Sequence, residues 1–267
     1  MTEFHYGFMA RALEVLTTAD PKKKVQLTLH YSSEKNTITS NYQKKLKMPT
    51  KPARPAKPNL MAPKHMPKRS TGISRRAALV HSLVHIELNA IDLAWDMIGR
   101  FGAEQNSLEF LEDWLLVAQE EAAHFMMLSK LLESYGYSYG DFPAHNGLWE
   151  AAEETTSDVL ARLAVIPMLL EARGIDTSPF LMQKLKAAKE LDFLRVLETI
   201  YTDEIKHLRI GVKWFERICN NQQLEPIGHW QKLLKCNTRA KPKPPFNTSA
   251  RVEAGMSLNY VQKFDAN

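Results

Sequence analysis

An all-α protein built on a four-helix bundle is what this sequence predicts, and three observations predict it. Long stretches carry apolar residues at helical spacing without strand-like alternation, and glycine is scarce, at 11 of 267 residues. A lone glutamate followed by a Glu-x-x-His pair occurs twice in the same order: Glu87 then Glu121-Ala-Ala-His124, and Glu171 then Glu204-Ile-Lys-His207. The interval from lone glutamate to motif is nearly the same, 34 residues in the first case and 33 in the second. Two helix pairs carrying this set read as a binuclear metal site inside a four-helix bundle.

The elements follow in order. Residues 4 to about 17 have the pattern of a short amphipathic helix, with Phe8, Leu13, Val15 and Leu16, and Asp20-Pro21 is expected to end it. Residues 22–43 are polar and mixed, and no element is assigned there. Residues 44–76 carry eleven Lys or Arg and no acid, interspersed with Pro49, Pro52, Pro55, Pro58, Pro63 and Pro67. They read as an extended strap wrapping the bundle, or as a surface for phosphates or nucleic acid; the lack of interleaved aromatic residues disfavours the second. The chain's net charge of +5 less those eleven leaves the remainder at −6, so a basic arm is attached to an acidic body.

The first bundle helix is predicted from a Ser74 N-cap to Arg100, closed by Phe101-Gly102, and the second from about Ser107 to Tyr135, ended by Gly136. The short connection makes them antiparallel neighbours, with Glu87 and Glu121 each ~21 Å from the hairpin tip. Residues 136–147 are a turn-rich crossover in which His145 is expected to serve the loop. The third helix is predicted over 148–172, kinked or widened by Pro167, and broken by Gly174 and Pro179. A short helical piece over 180–188 and a fourth helix over 190–219 follow. The tail, 220–267, is expected to form a strap through Lys241-Pro-Lys-Pro-Pro245-Phe246-Asn247 and a short helix ending near Phe264. The organisation expected is therefore 1–43, 44–76, 77–220 for the bundle, and 221–267.

Residues three and four apart on a helix share a face. Glu87 shares its face with Val80, Leu83, Val84, Ala90, Ile91 and Ala94, and Glu121 with Trp114, Val117, Ala118, Phe125 and Leu128. Glu171 falls among Ala164, Pro167, Met168 and Ile175, and Glu204 among Leu197, Ile200, Tyr201 and Leu208. Each glutamate thus lies on the stripe that should face the core. A bare carboxylate there costs several kcal/mol or more unless it is paired, protonated or metal-bound. No Lys or Arg shares these stripes. Two divalent cations would bring four positive charges to four carboxylates, with two imidazoles as neutral ligands. Such an oxygen-rich set suits iron or manganese better than thiolate-preferring metals. Trp114 and Tyr201, on the ligand faces, are candidates to shape a pocket or simply to pack.

The hydrophobic fraction, 44%, is ample for a core. The two cysteines, Cys219 and Cys236, make no disulfide framework, and the N-terminus has no secretory pattern. No run is expected to be apolar enough to span a membrane, and a cytoplasmic protein is expected.

The chain resembles the ferritin-like superfamily and, within it, the family known as domain of unknown function 455. The resemblance rests on Pro-Ala-Arg-Pro-Ala-Lys-Pro at 52–58, Met66 to Arg69, His85 to Trp95, Glu120 to Phe125, Tyr139 to His145, Gly147 to Ala152, Leu170 to Gly174, Ile200 to His207 and Lys243 to Asn247. It implies a ferritin-like bundle, wrapped by its two extensions, around a di-metal carboxylate centre, with no departure at the six ligand positions. It implies no particular reaction; a neighbouring branch hydroxylates a modified tRNA base, and that chemistry comes only by analogy. The function expected is oxygen activation at two iron ions (manganese, or one of each, being the alternatives). Glu121 and Glu204 would bridge, Glu87 and Glu171 would be terminal ligands, and His124 and His207 would complete the set. Dioxygen, an electron donor and a small-molecule or RNA substrate would be the partners. Iron oxidation without an organic substrate is the first alternative, and a metal-stabilised nucleic-acid-binding or structural protein is the second.

Overall fold

Asp20 does not simply end a helix: its carboxylate accepts the Lys23 N–H at 2.7 Å and caps a second one, with Pro21 at the first helical position, where its missing N–H has no cost. The computed structural model describes residues 3–33, 46–67, 72–236 and 241–262. It is all-helical; among the described residues the β pairing is an isolated parallel bridge between Leu60 and Ala144. Lys44 and Lys45 of the strap, Lys68 and Arg69, and the predicted helix end at Phe264 lie outside the described residues. The chain divides into two compact units, Met1–Trp149 and Glu150–Asn267.

The first unit is organised on a long hairpin, α3 (Gly72–Gln105) and α4 (Leu108–Ser134), preceded by α1 (Glu3–Thr17) and α2 (Pro21–Ser33). Phe101-Gly102 does not close α3. The helix runs on to Gln105, and Asn106 turns the chain in the left-handed conformation at φ 45°, which Asn tolerates better than most residues. Ser107 caps α4 by accepting the Phe110 N–H at 3.3 Å. Gly102 instead marks close helix packing: a Cβ there would come within 2.5 Å of Leu111 Cδ2. From Glu87 to Gly99 every residue of α3 is buried, so the helix is enclosed on all sides. By length and composition alone α3 passes as a membrane-crossing helix over Ser74–Gln105, but 72% of its most apolar stretch is buried inside the protein, as in a core helix.

One cover of α3 is the strap. Ala53 N–H donates to Leu16 O at 2.7 Å, Arg100 donates to Pro49 O at 3.0 Å, and Trp149 Nε1 donates to Thr50 O at 3.0 Å. Arg54 Nη1 lies 2.6 Å from Asp92 Oδ2 and its Nη2 donates to Asn89 Oδ1 at 2.6 Å. Lys24 of α2 pairs with the other oxygen of Asp92. Burial lowers the Lys24 pKa against the opposing pull of Asp92. Removing one member of such a buried set leaves a charge uncompensated, at about 3–5 kcal/mol.

The second unit begins in α5 (Gly147–Glu153), which straddles the division. The predicted third helix is interrupted: Asp158 starts α6 (Val159–Val165) anew by accepting from Leu160 N and Ala161 N. A π-helical turn, Ile166–Glu171, then leads without a break into α7 (Ala172–Ala187). The widening expected at Pro167 is this π turn. Gly174 and Pro179 do not break the helix, and no separate piece forms over 180–188. Proline at 179 frees the carbonyl of Ile175, and Asn247 Nδ2 donates to that carbonyl at 3.3 Å. Two further helices follow, α8 (Leu191–Asn221), close to its predicted bounds, and α9 (Pro226–Cys236), which was not foreseen. Trp230 of α9 donates to Ala164 O at 3.3 Å, just before the π turn. A short α10 (Thr248–Glu253) and a 3-10 turn, Leu258–Tyr260, complete the described tail.

Candidate metal centre

In the first unit α3 supplies Glu87, and α4 supplies Glu121 and His124 from successive turns of one face. Their ligand atoms all lie within 4.8 Å of one another. All three side chains are buried, with relative exposures of 3%, 1% and 0%. His124 Nδ1 stands 3.3 Å from Glu121 Oε2 and 3.7 Å from Glu87 Oε2, and that Glu87 oxygen is buried without a hydrogen-bond partner. The stripe around them is apolar as predicted: Trp114, Val117, Ala118, Phe125 and Leu128 are all buried.

The electrostatics ask for positive charge. Burial, and then the neighbouring Glu121 carboxylate, push the Glu87 carboxyl up to about 8. Burial alone would lower His124, but the adjacent Glu121 and Glu87 carboxylates overcome it and raise the imidazole to about 12. Without metal, protons on Glu87 and His124 neutralise the cluster. A divalent cation supplies the same charge to two carboxylate oxygens and an imidazole nitrogen, so the donor set fits iron or manganese. The residues form a buried group able to hold a metal ion.

The second unit repeats the motif on different backbone. Glu204 and His207 share one face of α8, with His207 Nδ1 3.8 Å from Glu204 Oε2 and a His207 side chain that is 1% exposed. Glu171 is the last residue of the π turn and is half-buried. The register between the segments can be read from Gly211, one turn beyond His207. A Cβ on Gly211 would fall 2.7 Å from Pro167 Cβ. Pro167 lies one turn before Glu171, and Gly211 one turn after His207. Trp114 is buried, and its Nε1 has no hydrogen-bond partner. The Tyr201 hydroxyl accepts from Asn247 Nδ2 at 2.9 Å, which ties it to the C-terminal strap.

A second buried row on α3 escaped the sequence reading: His81, His85, Asn89, Asp92 and Asp96. His85 Nδ1 pairs with the Tyr139 hydroxyl at 2.7 Å, and its Nε2 with His145 O at 3.1 Å. His81 Nε2 accepts the Gly140 N–H at 3.0 Å, and its ring stacks on Tyr139. Burial holds both His81 and His85 down to about 4. The signal was present, as polar residues three and four apart on a helix that is apolar elsewhere. His145 serves the loop, as expected: its Nδ1 accepts the Gly147 N–H at 3.3 Å.

A family model described as "Protein of unknown function (DUF455)" matches residues 17–262. The chain belongs to that family. A relative from Haemophilus influenzae, described as an uncharacterized protein, is 40% identical over 209 residues, which is 76% of this chain and 73% of the relative. No solved structure matches. The family match spans the strap, both Glu-x-x-His motifs and α9, so these features belong to the matched portion.

Proposed function

We propose that this protein of the DUF455 family is a ferritin-like four-helix di-iron carboxylate protein that uses dioxygen to oxidise an organic substrate with electrons from a separate donor. The buried Glu87, Glu121 and His124 cluster carries the reading, and the repetition of its motif as Glu171, Glu204 and His207 extends it from one ion to two. A pair of iron ions would supply dioxygen binding and electron transfer. Manganese, or one ion of each, suits the same ligands.

The residues would divide the work. Glu87, Glu121 and His124 would hold one ion, and Glu171, Glu204 and His207 the second. His124 and His207 would each bind through Nδ1, the nitrogen that lies toward the carboxylate of its own motif. The Glu87 carboxyl and the His124 imidazolium must give up their protons as metal enters, so loading should strengthen with rising pH. The apolar surround of Trp114, Val117, Ala118 and Phe125 excludes bulk water from the cluster.

The test begins with anaerobic protein loaded with Fe(II) and then exposed to dioxygen. Four carboxylates cancel much of the charge of two ferric ions and should hold them in place. The expected result is oxidation of about one equivalent of the bound pair, followed by arrest until an electron donor and an organic substrate are added. Sustained oxidation of added Fe(II) without a donor would replace this reading with iron handling. No reaction with dioxygen would replace it with a structural metal pair, which suits a nucleic-acid-binding or scaffolding role.

A further inference from the structure

The C-terminal Lys-Pro-Lys-Pro-Pro-Phe-Asn segment takes no part in the metal reading, yet it builds two adjoining pockets within the second unit. The first is a half-open pocket of about 210 Å³ lined by Arg173, Asp176, Lys241, Lys243, Phe246 and Arg251. The second is a shallow, open depression of about 380 Å³ beside Asp176, Pro179, Phe180, Pro245 and Phe246. Asp176 and Phe246 belong to both linings, so the pockets are neighbours of opposite character.

The first pocket carries unbalanced positive charge. Its one carboxylate, Asp176, is taken up by Arg251: Nε donates to Oδ1 at 2.9 Å and Nη2 to Oδ2 at 2.8 Å. The Asn247 N–H also donates to Asp176 Oδ1, at 2.9 Å. Against that single carboxylate the lining sets three further cations, on Arg173, Lys241 and Lys243. Arg173 is held by one corner: Nη1 donates to Lys243 O at 2.7 Å and to Pro245 O at 3.0 Å, and stands 3.6 Å from Asp176 Oδ2. Its Nε and Nη2 have no acceptor among the described residues, so a planar pair of donors is left in a fixed position. Lys241 and Lys243 are exposed, and no carboxylate pairs with them among the described residues. A guanidinium fork flanked by two ammonium groups matches a phosphate dianion better than a single carboxylate.

The second pocket has neither Lys nor Arg in its lining. Pro179, Phe180, Pro245 and Phe246 give it an apolar wall, and the Phe180 side chain is 62% exposed. Lys184 Nζ lies over one face of the Phe180 ring, 4.1 Å from its centroid, and the part still exposed is a surface that an apolar ligand would cover.

We propose that these pockets together bind a phosphate monoester with a flat apolar body, the phosphate among Arg173, Lys241 and Lys243 and the body along Phe180 and Phe246. The site stands on residues of the second unit alone and does not depend on the metal reading.

The probe is 1-naphthyl phosphate, titrated calorimetrically into the full-length, metal-loaded protein, with inorganic phosphate and 1-naphthol as its two halves. Naphthyl phosphate should bind at least tenfold more tightly than either half. Replacing Lys241→Gln together with Lys243→Gln should weaken it at least tenfold and reduce its salt dependence. Phe180→Ser should weaken naphthyl phosphate severalfold and leave inorganic phosphate unchanged. Both variants alter exposed side chains, and unchanged melting and metal content would show that they fold. Naphthyl phosphate bound equally by wild type and the lysine variant would place the phosphate elsewhere, including at the metals, and would overturn the proposal. Affinity no greater than that of inorganic phosphate would overturn the apolar half.

Discussion

The two units hold the same ligand pattern on unlike backbones. In the first, Glu87 and Glu121 stand on regular α-helix, sealed at 3% and 1% exposure, and α3 is buried throughout its middle. In the second, Glu171 ends a π turn and is half-buried, and the Glu204 side chain is 15% exposed. A π turn adds a residue without ending the helix, and such turns often sit at functional sites. On the proposed reading the first half would be preformed and would set the affinity, and the second would be the more adaptable.

The largest effect expected is that of metal on stability. Removing metal should lower the melting temperature by ~10 °C, because native-state binding at a thousandfold excess over Kd contributes about 4 kcal/mol. Glu87→Ala should abolish most of the difference between metal-loaded and metal-free protein, and Glu171→Ala should leave a measurable part of it. Equal loss in both variants would break the contrast between the halves.

A smaller effect, in the first unit, comes from His81. Its folded pKa of about 4 lies below the ordinary 6.5 because burial disfavours the imidazolium. The unfolded chain therefore binds the extra proton first as pH falls. The stability concerned is fully present above pH 6.5 and is lost as pH drops toward 4, an effect on the order of 2–3 kcal/mol. His81→Gln keeps an acceptor for the Gly140 N–H and removes the titration. Melting curves of metal-free wild type and variant between pH 7 and pH 4 should converge as the pH falls, and parallel curves would contradict the assignment.

The smallest effects come from the two packing glycines, and they bear on the same contrast. Gly211→Ala drives a Cβ into the rigid ring of Pro167, at 2.7 Å. It should cost about 1–3 kcal/mol and weaken metal binding, because it moves the segment that carries Glu171. Gly102→Ala meets the movable end of Leu111 and should cost less than about 1 kcal/mol with metal content unchanged. Thermal melting with metal analysis checks both, and a larger effect at Gly102 would reverse the ranking of the two halves.

The ligand pattern and the α3–α4 hairpin were legible because they are periodic. Glu87, Glu121 and His124 fall on apolar stripes at helical spacing, and Gly136 follows the end of α4. Local rules failed where distant residues override them. Pro179 reads as a helix breaker, yet Asn247, far along the chain, satisfies the carbonyl it frees. Gly102 reads as a helix stop, yet it is small because Leu111 packs onto it. Asp92 and Asp96 went unassigned, because the Lys24, Arg54 and Arg100 that cover them come from other segments or from the polar side of the same helix. The expectation at Pro167 held because proline acts on its own helix, without a distant partner.

The central claim is that the repeated motif holds two metal ions. Anaerobic loading with Fe(II), removal of excess and elemental analysis measure this directly, in wild type and in the Glu121→Ala, Glu204→Ala double variant. Close to two ions per chain are expected in the first and almost none in the second, with both proteins folded. Full occupancy in the double variant, or one ion or fewer in wild type, would contradict it.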